Sequence, residues 1–118
     1  MNISLDDIKP IYLQISEGIE DDILKGILEE KEQALSTNQF AAQYQINPAT
    51  AAKGINDLVE VGILYKKRGL GMFVAVGARK QILEKRKKEF FKVYITKMLI
   101  EAEKLGITKD EIFEMIKK

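Results

Sequence analysis

The sequence has 118 residues, a length that suggests one compact domain with a small appendage. Of these residues 46% are hydrophobic and 31% are charged, as in ordinary folded proteins. The sequence contains no cysteine, which excludes disulfides and thiolate chemistry. It also contains no histidine, the commonest general base and the commonest metal ligand. We therefore expect no cofactor, no metal and no enzymatic activity. The acidic start lacks the apolar core of a signal peptide, and no apolar run approaches the roughly 18 residues that span a bilayer, so we expect a cytoplasmic protein.

Charge is unevenly distributed along the chain, although the formal net charge is only +1. Residues 1–33 contain nine acidic side chains and three lysines, a net charge of −6. Residues 66–88 contain nine basic side chains and one glutamate, a net charge of +8. A basic block in a nearly neutral protein is a candidate surface for a polyanion, and the alternative is a solvated face without function.

Three helices are predicted in the first half of the chain. The first covers residues 9–25, because isoleucine recurs every fourth residue and Gly26 follows as a stop. A polar connector follows at residues 27–35, with a short extended stretch at Ile27–Leu28. The pair Ser36 and Gln39 then resembles a capping box and predicts a short helix over residues 37–44.

Asn47 followed by proline predicts the third helix, which should run to about Val61. Its expected apolar face consists of Ala51, Ile55, Leu58 and Val59. The opposite side carries small or polar residues, namely Ala49, Thr50, Lys53 and Asn56. Two strands follow at residues 63–65 and 72–76, and the glycine-containing tip between them is basic.

The rest of the chain is predicted to be a helical tail that begins after Gly77. One helix should cover residues 78–105, and a capping box at Thr108–Glu111 should open a last helix with Ile112, Phe113 and Ile116 inward. We therefore expect two domains, at residues 1–77 and 78–118. The tail has more apolar surface than a lone helical hairpin can hide, which predicts a homodimer interface. Its expected members are Phe90, Phe91, Tyr94, Ile95, Met98, Leu99, Phe113 and Ile116.

The order helix, short helix, tight turn, helix and basic hairpin is typical of a winged helix-turn-helix. The fold is therefore expected to be mainly α with a small β-hairpin, followed by the helical tail. The small N-terminal turn of the third helix can approach base edges in a major groove, and the hairpin tip can place cations on phosphates. Each feature also has a plain structural explanation, as a cap, a solvated hairpin or an exposed helix face, so the joint pattern carries the prediction.

Over residues 9–76 the chain resembles GntR-type transcriptional regulators of the short-tailed YtrA-like subgroup. The matching segments are Pro10–Ile15, Gly26, Ser36, Ile46–Thr50 with Lys53, Leu58–Leu64 and Lys67–Val74. The resemblance implies a homodimer that binds a palindromic double-stranded DNA operator and represses transcription. It assigns DNA contacts to Ser36, Asn38, Asn47, Ala49, Thr50, Lys53, Lys67, Arg68, Gly69 and Gly71.

The chain departs from the family pattern around the second helix. Lys31, Ala34 and Leu35 stand where the family has glycine, leucine and proline, and Asn38 stands where it has arginine. The lost arginine and the acidic first helix favour an alternative function, a winged-helix protein-interaction module with weakened DNA binding. About forty residues follow the hairpin, too few to enclose an effector pocket of several hundred Å³, so any small-molecule effector is expected at the dimer interface.

Overall fold

The structure, a computed structural model, describes residue 5 and residues 9–118. Its helices and strands are α1 (Ile11–Leu24), α2 (Thr37–Tyr44), α3 (Pro48–Glu60), β1 (Leu64–Lys67), β2 (Gly71–Val74), α4 (Ala78–Glu89), a π-helix (Phe90–Ile95), α5 (Thr96–Lys104) and α6 (Lys109–Lys117). Within the described residues, no helix has both the length and the hydropathy required to cross a membrane.

The chain divides into two compact units, of which the first ends at Leu83 and the second covers Glu84–Lys118. This division lies six residues beyond the boundary expected at Gly77. Ala78 and Ile82, in the first turns of α4, are buried in the core of the first unit. The basic helix that follows the hairpin therefore begins as part of the first unit.

The core of the first unit lies between α1, α3 and the hairpin. Three of the four isoleucines spaced along α1 are buried, namely Ile15, Ile19 and Ile23. Helix α3 packs closely on α1 at Gly54, where a Cβ atom would lie 2.7 Å from the carbonyl oxygen of Tyr12. Ser16 in α1 donates its hydroxyl to the Gly54 carbonyl at 2.7 Å. Glycine is thus required at this crossing because a larger residue would separate the two helices.

Helices α2 and α3 begin and end as their sequences predict. Ser36 and Gln39 form a complete capping box at α2, and the Asn47 side chain caps α3. Gln45 ends α2 in the left-handed region, with φ of 52°, and turns the chain toward α3. The helix-turn-helix geometry therefore follows from strong local signals.

The hairpin is antiparallel, with Tyr65 paired to Phe73 and Lys67 paired to Gly71. Its strands are shifted from the predicted bounds, so that Lys67 lies in β1 and Ala75 follows β2. The extended stretch expected at Ile27–Leu28 is wrong, because this pair lies in a turn closed by backbone bonds to the Asp22 carbonyl. The connector instead pairs with β2 at Gln33, which forms an antiparallel bridge with Phe73.

In the second unit, the single helix predicted over residues 78–105 is interrupted by the π-helix. The backbone N–H and the hydroxyl of Thr96 both donate to the Phe91 carbonyl, five residues earlier, and this wider turn inserts one residue into the helix. Thr108 and Glu111 form the predicted capping box of α6. Of the three α6 residues expected inward, Ile112 is buried, whereas Phe113 and Ile116 are 56% and 70% exposed.

Candidate nucleic-acid interface

The first turn of α3 presents a small surface to solvent. Asn47 accepts a 2.7 Å hydrogen bond from the Ala49 backbone N–H, which fixes the entry of the chain into the helix. Ala49 and Lys53 are exposed and Thr50 is half-buried. Because Ala49 and Thr50 are short, this end of α3 can approach another surface without a long side chain in the way.

Lys53 has two partners in the described structure. Its Nζ lies 3.0 Å from a carboxylate oxygen of Asp57, one turn later in α3, and 4.9 Å from the centre of the Tyr12 ring. The hydrogen bond to Asp57 and the negative charge of its carboxylate both raise the pKa of Lys53. A polyanion that recruits Lys53 must compete with the carboxylate of Asp57.

The start of α2 contributes two of the predicted contact residues. The Ser36 hydroxyl accepts a hydrogen bond from the Gln39 backbone N–H at 3.1 Å, so this side chain is already part of the capping box of α2. Asn38 is exposed in the first turn. It therefore has the accessibility that its family position requires, but lacks the charge of the arginine that it replaces.

The hairpin tip, which we call the wing, consists of residues 67–71. The Leu70 N–H donates to the Lys67 carbonyl at 2.9 Å and closes a turn in which Gly69 has φ of 78°. Lys67 lies with its Nζ 4.6 Å from the centre of the Phe73 ring. Arg68 is exposed at the apex. The wing therefore carries one cation held over an aromatic ring and another that extends into solvent.

The aromatic support for Lys67 was missed by the sequence interpretation. Tyr65 and Phe73 face each other across the hairpin with ring centres 6.0 Å apart, and Lys67 follows Tyr65 on the same side of β1. The two-residue alternation of a strand could have revealed this arrangement once the register was known. Gln33, which contacts the wing, was also missed, because the pairing of the connector with β2 has no local signal.

All ten predicted DNA-contact residues lie in the first unit, on α2, on α3, at the N-caps of these two helices and on the wing. The predicted dimer residues lie in the second unit, where six of the eight are exposed and Ile95 and Leu99 are half-buried. In that unit only Ala102 and Ile112 are buried. The predicted DNA surface therefore belongs to the first unit and the predicted dimer surface to the second.

Curated relatives with similar sequences are bacterial regulators. The HTH-type transcriptional regulator YhcF of Bacillus subtilis is 30% identical over 109 residues, which cover 92% of this chain and 88% of the relative. The HTH-type transcriptional repressor YtrA of the same organism is 28% identical over 92% of this chain and 83% of its own length. No protein-family model matches the chain.

Solved structures agree with these relatives. A GntR family transcriptional regulator from Listeria monocytogenes is 32% identical, with a TM-score of 0.76 over 96% of this chain and 97% of that one. The DNA-binding domain of AraR in complex with operator ORX1 is 29% identical, with a TM-score of 0.58 over 64% of this chain and 96% of that domain.

The fold and the exposed surface of α3 and the wing define a winged helix-turn-helix transcriptional regulator. More specifically, the chain belongs to the GntR family of transcriptional regulators. The predicted fold class, the YtrA-like resemblance and the prediction of a regulator rather than an enzyme are thereby confirmed.

Proposed function

We propose that this regulator binds a two-fold symmetric DNA operator as a homodimer and represses transcription in the cytoplasm, where the operator DNA lies. Helix α3 enters the major groove and the wing contacts the phosphate backbone. The observation that carries the proposal is the presence, in one compact unit, of a small polar α3 start and a wing with exposed cations. The similarity to a DNA-binding domain crystallised in complex with an operator supports DNA binding by this unit.

Sequence preference is assigned to the first turns of α3. Thr50 offers a hydroxyl that can contact any base edge and a methyl that suits thymine, while Ala49 leaves room for the backbone to approach. Asn47 serves mainly as the N-cap of α3, since its side-chain oxygen already accepts from Ala49. Lys53, held by Asp57, contributes a phosphate contact only when that ion pair opens.

General affinity is assigned to the wing. Lys67 and Arg68 each neutralise one phosphate, and Gly69 and Gly71 permit the turn that presents them. Phosphate contacts release condensed counterions, so the wing should make binding depend steeply on salt. This is the property that separates the proposal from a winged helix that binds only protein.

Dimerisation is assigned to the helical tail, residues 78–118. The side chains that would form the dimer contacts lie in the second unit of the structure, Glu84–Lys118. That unit leaves many large apolar side chains exposed, among them Phe90, Phe91, Tyr94, Met98, Phe113 and Ile116. A patch of this kind usually marks an interface, and symmetric pairing of two copies is the commonest way to cover it. Two copies would also place two α3 helices on the two half-sites of a palindrome. Any small-molecule effector would bind at this interface.

The proposal is tested by titrating duplex DNA at several salt concentrations with three proteins. The first is the parent chain, the second is Lys67→Ala/Arg68→Ala, and the third is Lys104→Ala/Lys117→Ala, a control that removes two exposed lysines from the second unit. The wing variant should bind every sequence more weakly, and its salt slope should be smaller by roughly 2 per subunit. The control should keep the parent slope.

A Thr50→Ala variant completes the test, because it should change discrimination between base pairs and leave the salt slope unchanged. A wing variant that keeps its slope while its sequence preference changes would contradict this division of roles. A parent chain that does not bind duplex DNA at low salt would contradict the proposed function altogether.

A further inference from the structure

Gln33 reaches from the connector to the apex of the wing. Its side-chain amide Nε2 donates to the Leu70 carbonyl at 2.6 Å, across 37 residues of sequence. A Cβ atom on Gly71 would lie only 2.7 Å from the same amide nitrogen, so a larger residue at position 71 would displace Gln33. Gly71 also has φ of 121°, a conformation that other residues rarely adopt. The wing is thus shaped to receive the Gln33 amide.

The backbone of the connector pairs with β2 through an isolated antiparallel bridge and three hydrogen bonds. The Lys31 N–H donates to the Val74 carbonyl, the Val74 N–H donates to the Glu32 carbonyl, and the Ala34 N–H donates to the Met72 carbonyl, at 2.7 to 2.9 Å. These bonds anchor β2 from Val74 to Met72, just beside the wing. The side chain of Gln33 extends the anchorage beyond Met72 to Leu70, next to the two proposed phosphate contacts.

We propose that Gln33 is a positioning residue, which holds the wing tip in the conformation that presents Lys67 and Arg68 to DNA. This inference rests on the proposed function, because it concerns the affinity of the same wing. Gln33 acts through the Leu70 carbonyl and Gly71, and needs no contact with DNA itself. A tip that is ordered before binding loses less conformational entropy on the phosphate backbone than a tip that is free to move.

The expected effect follows from the single hydrogen bond that is lost. Replacing Gln33 by methionine keeps the length of the side chain and removes its donor. Loss of one neutral hydrogen bond corresponds to roughly a two- to tenfold loss of affinity. The salt slope should stay close to the parent value, because Lys67 and Arg68 keep their charges. Gln33 is exposed, so the melting temperature should change little.

The chain offers a matched control for this substitution. Gln81 in α4 also donates its side-chain amide to a backbone carbonyl, that of Val61, at 2.8 Å, and it is also exposed. Gln81→Met therefore removes the same kind of bond from the same unit, outside the wing. A second variant, Gln33→Glu, keeps the shape of the side chain but places a carboxylate against the Leu70 carbonyl.

The experiment measures amide hydrogen exchange at Leu70 and Gly71 in the free proteins, and DNA affinity at several salt concentrations. We expect faster exchange and weaker binding for Gln33→Met, a larger loss for Gln33→Glu, and neither change for Gln81→Met. The inference is overturned if Gln33→Met exchanges as the parent does, if it exchanges faster but binds equally well, or if Gln81→Met has the same effects. If the parent itself does not bind DNA, the proposed function fails, while the exchange data still decide whether Gln33 orders the tip.

Discussion

Replacing Lys31 by glycine should stabilise the protein. Lys31 lies in the connector with φ of 70°, at the position where the family pattern has glycine. Its N–H donates a 2.7 Å hydrogen bond to the Val74 carbonyl, so the strained residue is held in place by β2. The left-handed conformation is disfavoured for every residue with a Cβ atom and is open to glycine.

The magnitude follows from two opposing contributions. Relief of the left-handed strain should contribute about 1–2 kcal/mol to the free energy of unfolding. The greater freedom of glycine in the unfolded chain should offset roughly 0.5–1 kcal/mol of this gain. At the midpoints of these two ranges the net stabilisation is about 0.75 kcal/mol. For a unit of this size that corresponds to a rise in melting temperature of roughly 3–6 °C.

The assay is urea unfolding at neutral pH, supported by a thermal melt, on the parent, Lys31→Gly and Lys31→Ala. Alanine keeps the unfavourable Cβ but lacks the lysine side chain, so it serves as the control and should not stabilise the protein. Equal stabilities of parent and glycine variant would refute the strain argument. Equal gains for alanine and glycine would assign the effect to the lysine side chain instead.

Three further substitutions test other parts of the structure. Asp57→Asn releases Lys53 from its ion pair and should tighten DNA binding several-fold in a titration at fixed salt. In a Lys53→Met background this gain should disappear, and a gain that persists would show that Lys53 is not its cause. Gly54→Ala forces a methyl group against the Tyr12 carbonyl and should lower the free energy of unfolding by about 1–3 kcal/mol in calorimetry, whereas unchanged stability would mean that the helices separate easily. Asn38→Arg should tighten operator binding by roughly 1–2 kcal/mol per subunit, and equal or weaker binding would show that the start of α2 does not face DNA.

Elements with strong local signals were predicted correctly. The capping boxes that open at Ser36 and Thr108 and the cap at Asn47 all form as the sequence indicates. Such caps depend on residues within three positions of each other, so a single sequence contains the whole signal. The ends of α1 and α3 agree with the predicted bounds to within two residues.

Features without a distinctive local signal were not predicted. Gln33 pairs with Phe73 forty residues later, and nothing in the polar connector indicates this bridge. The π-helix depends on the double hydrogen bond from Thr96, whereas the apolar periodicity around it is equally compatible with a continuous α-helix.

The candidate interface was predicted as a set of positions but not as a set of contacts. The sequence identified Lys53 and Lys67 as candidate DNA contacts from their positions in the chain. The structure adds that Lys53 is paired with Asp57 and that Lys67 lies over Phe73. These partners change what each lysine can do, because one must leave a carboxylate to reach a phosphate and the other is held in place by a ring.

The proposed function requires two copies of this chain to bind a symmetric DNA site through α3 and the wing. Selection of bound sequences from a random pool of duplex DNA tests this requirement without assuming an operator. We expect enrichment of a two-fold symmetric sequence whose half-sites lie about one helical turn, roughly 10 base pairs, or a multiple of it apart. Enrichment of a single asymmetric half-site, or no enrichment at all, would contradict it.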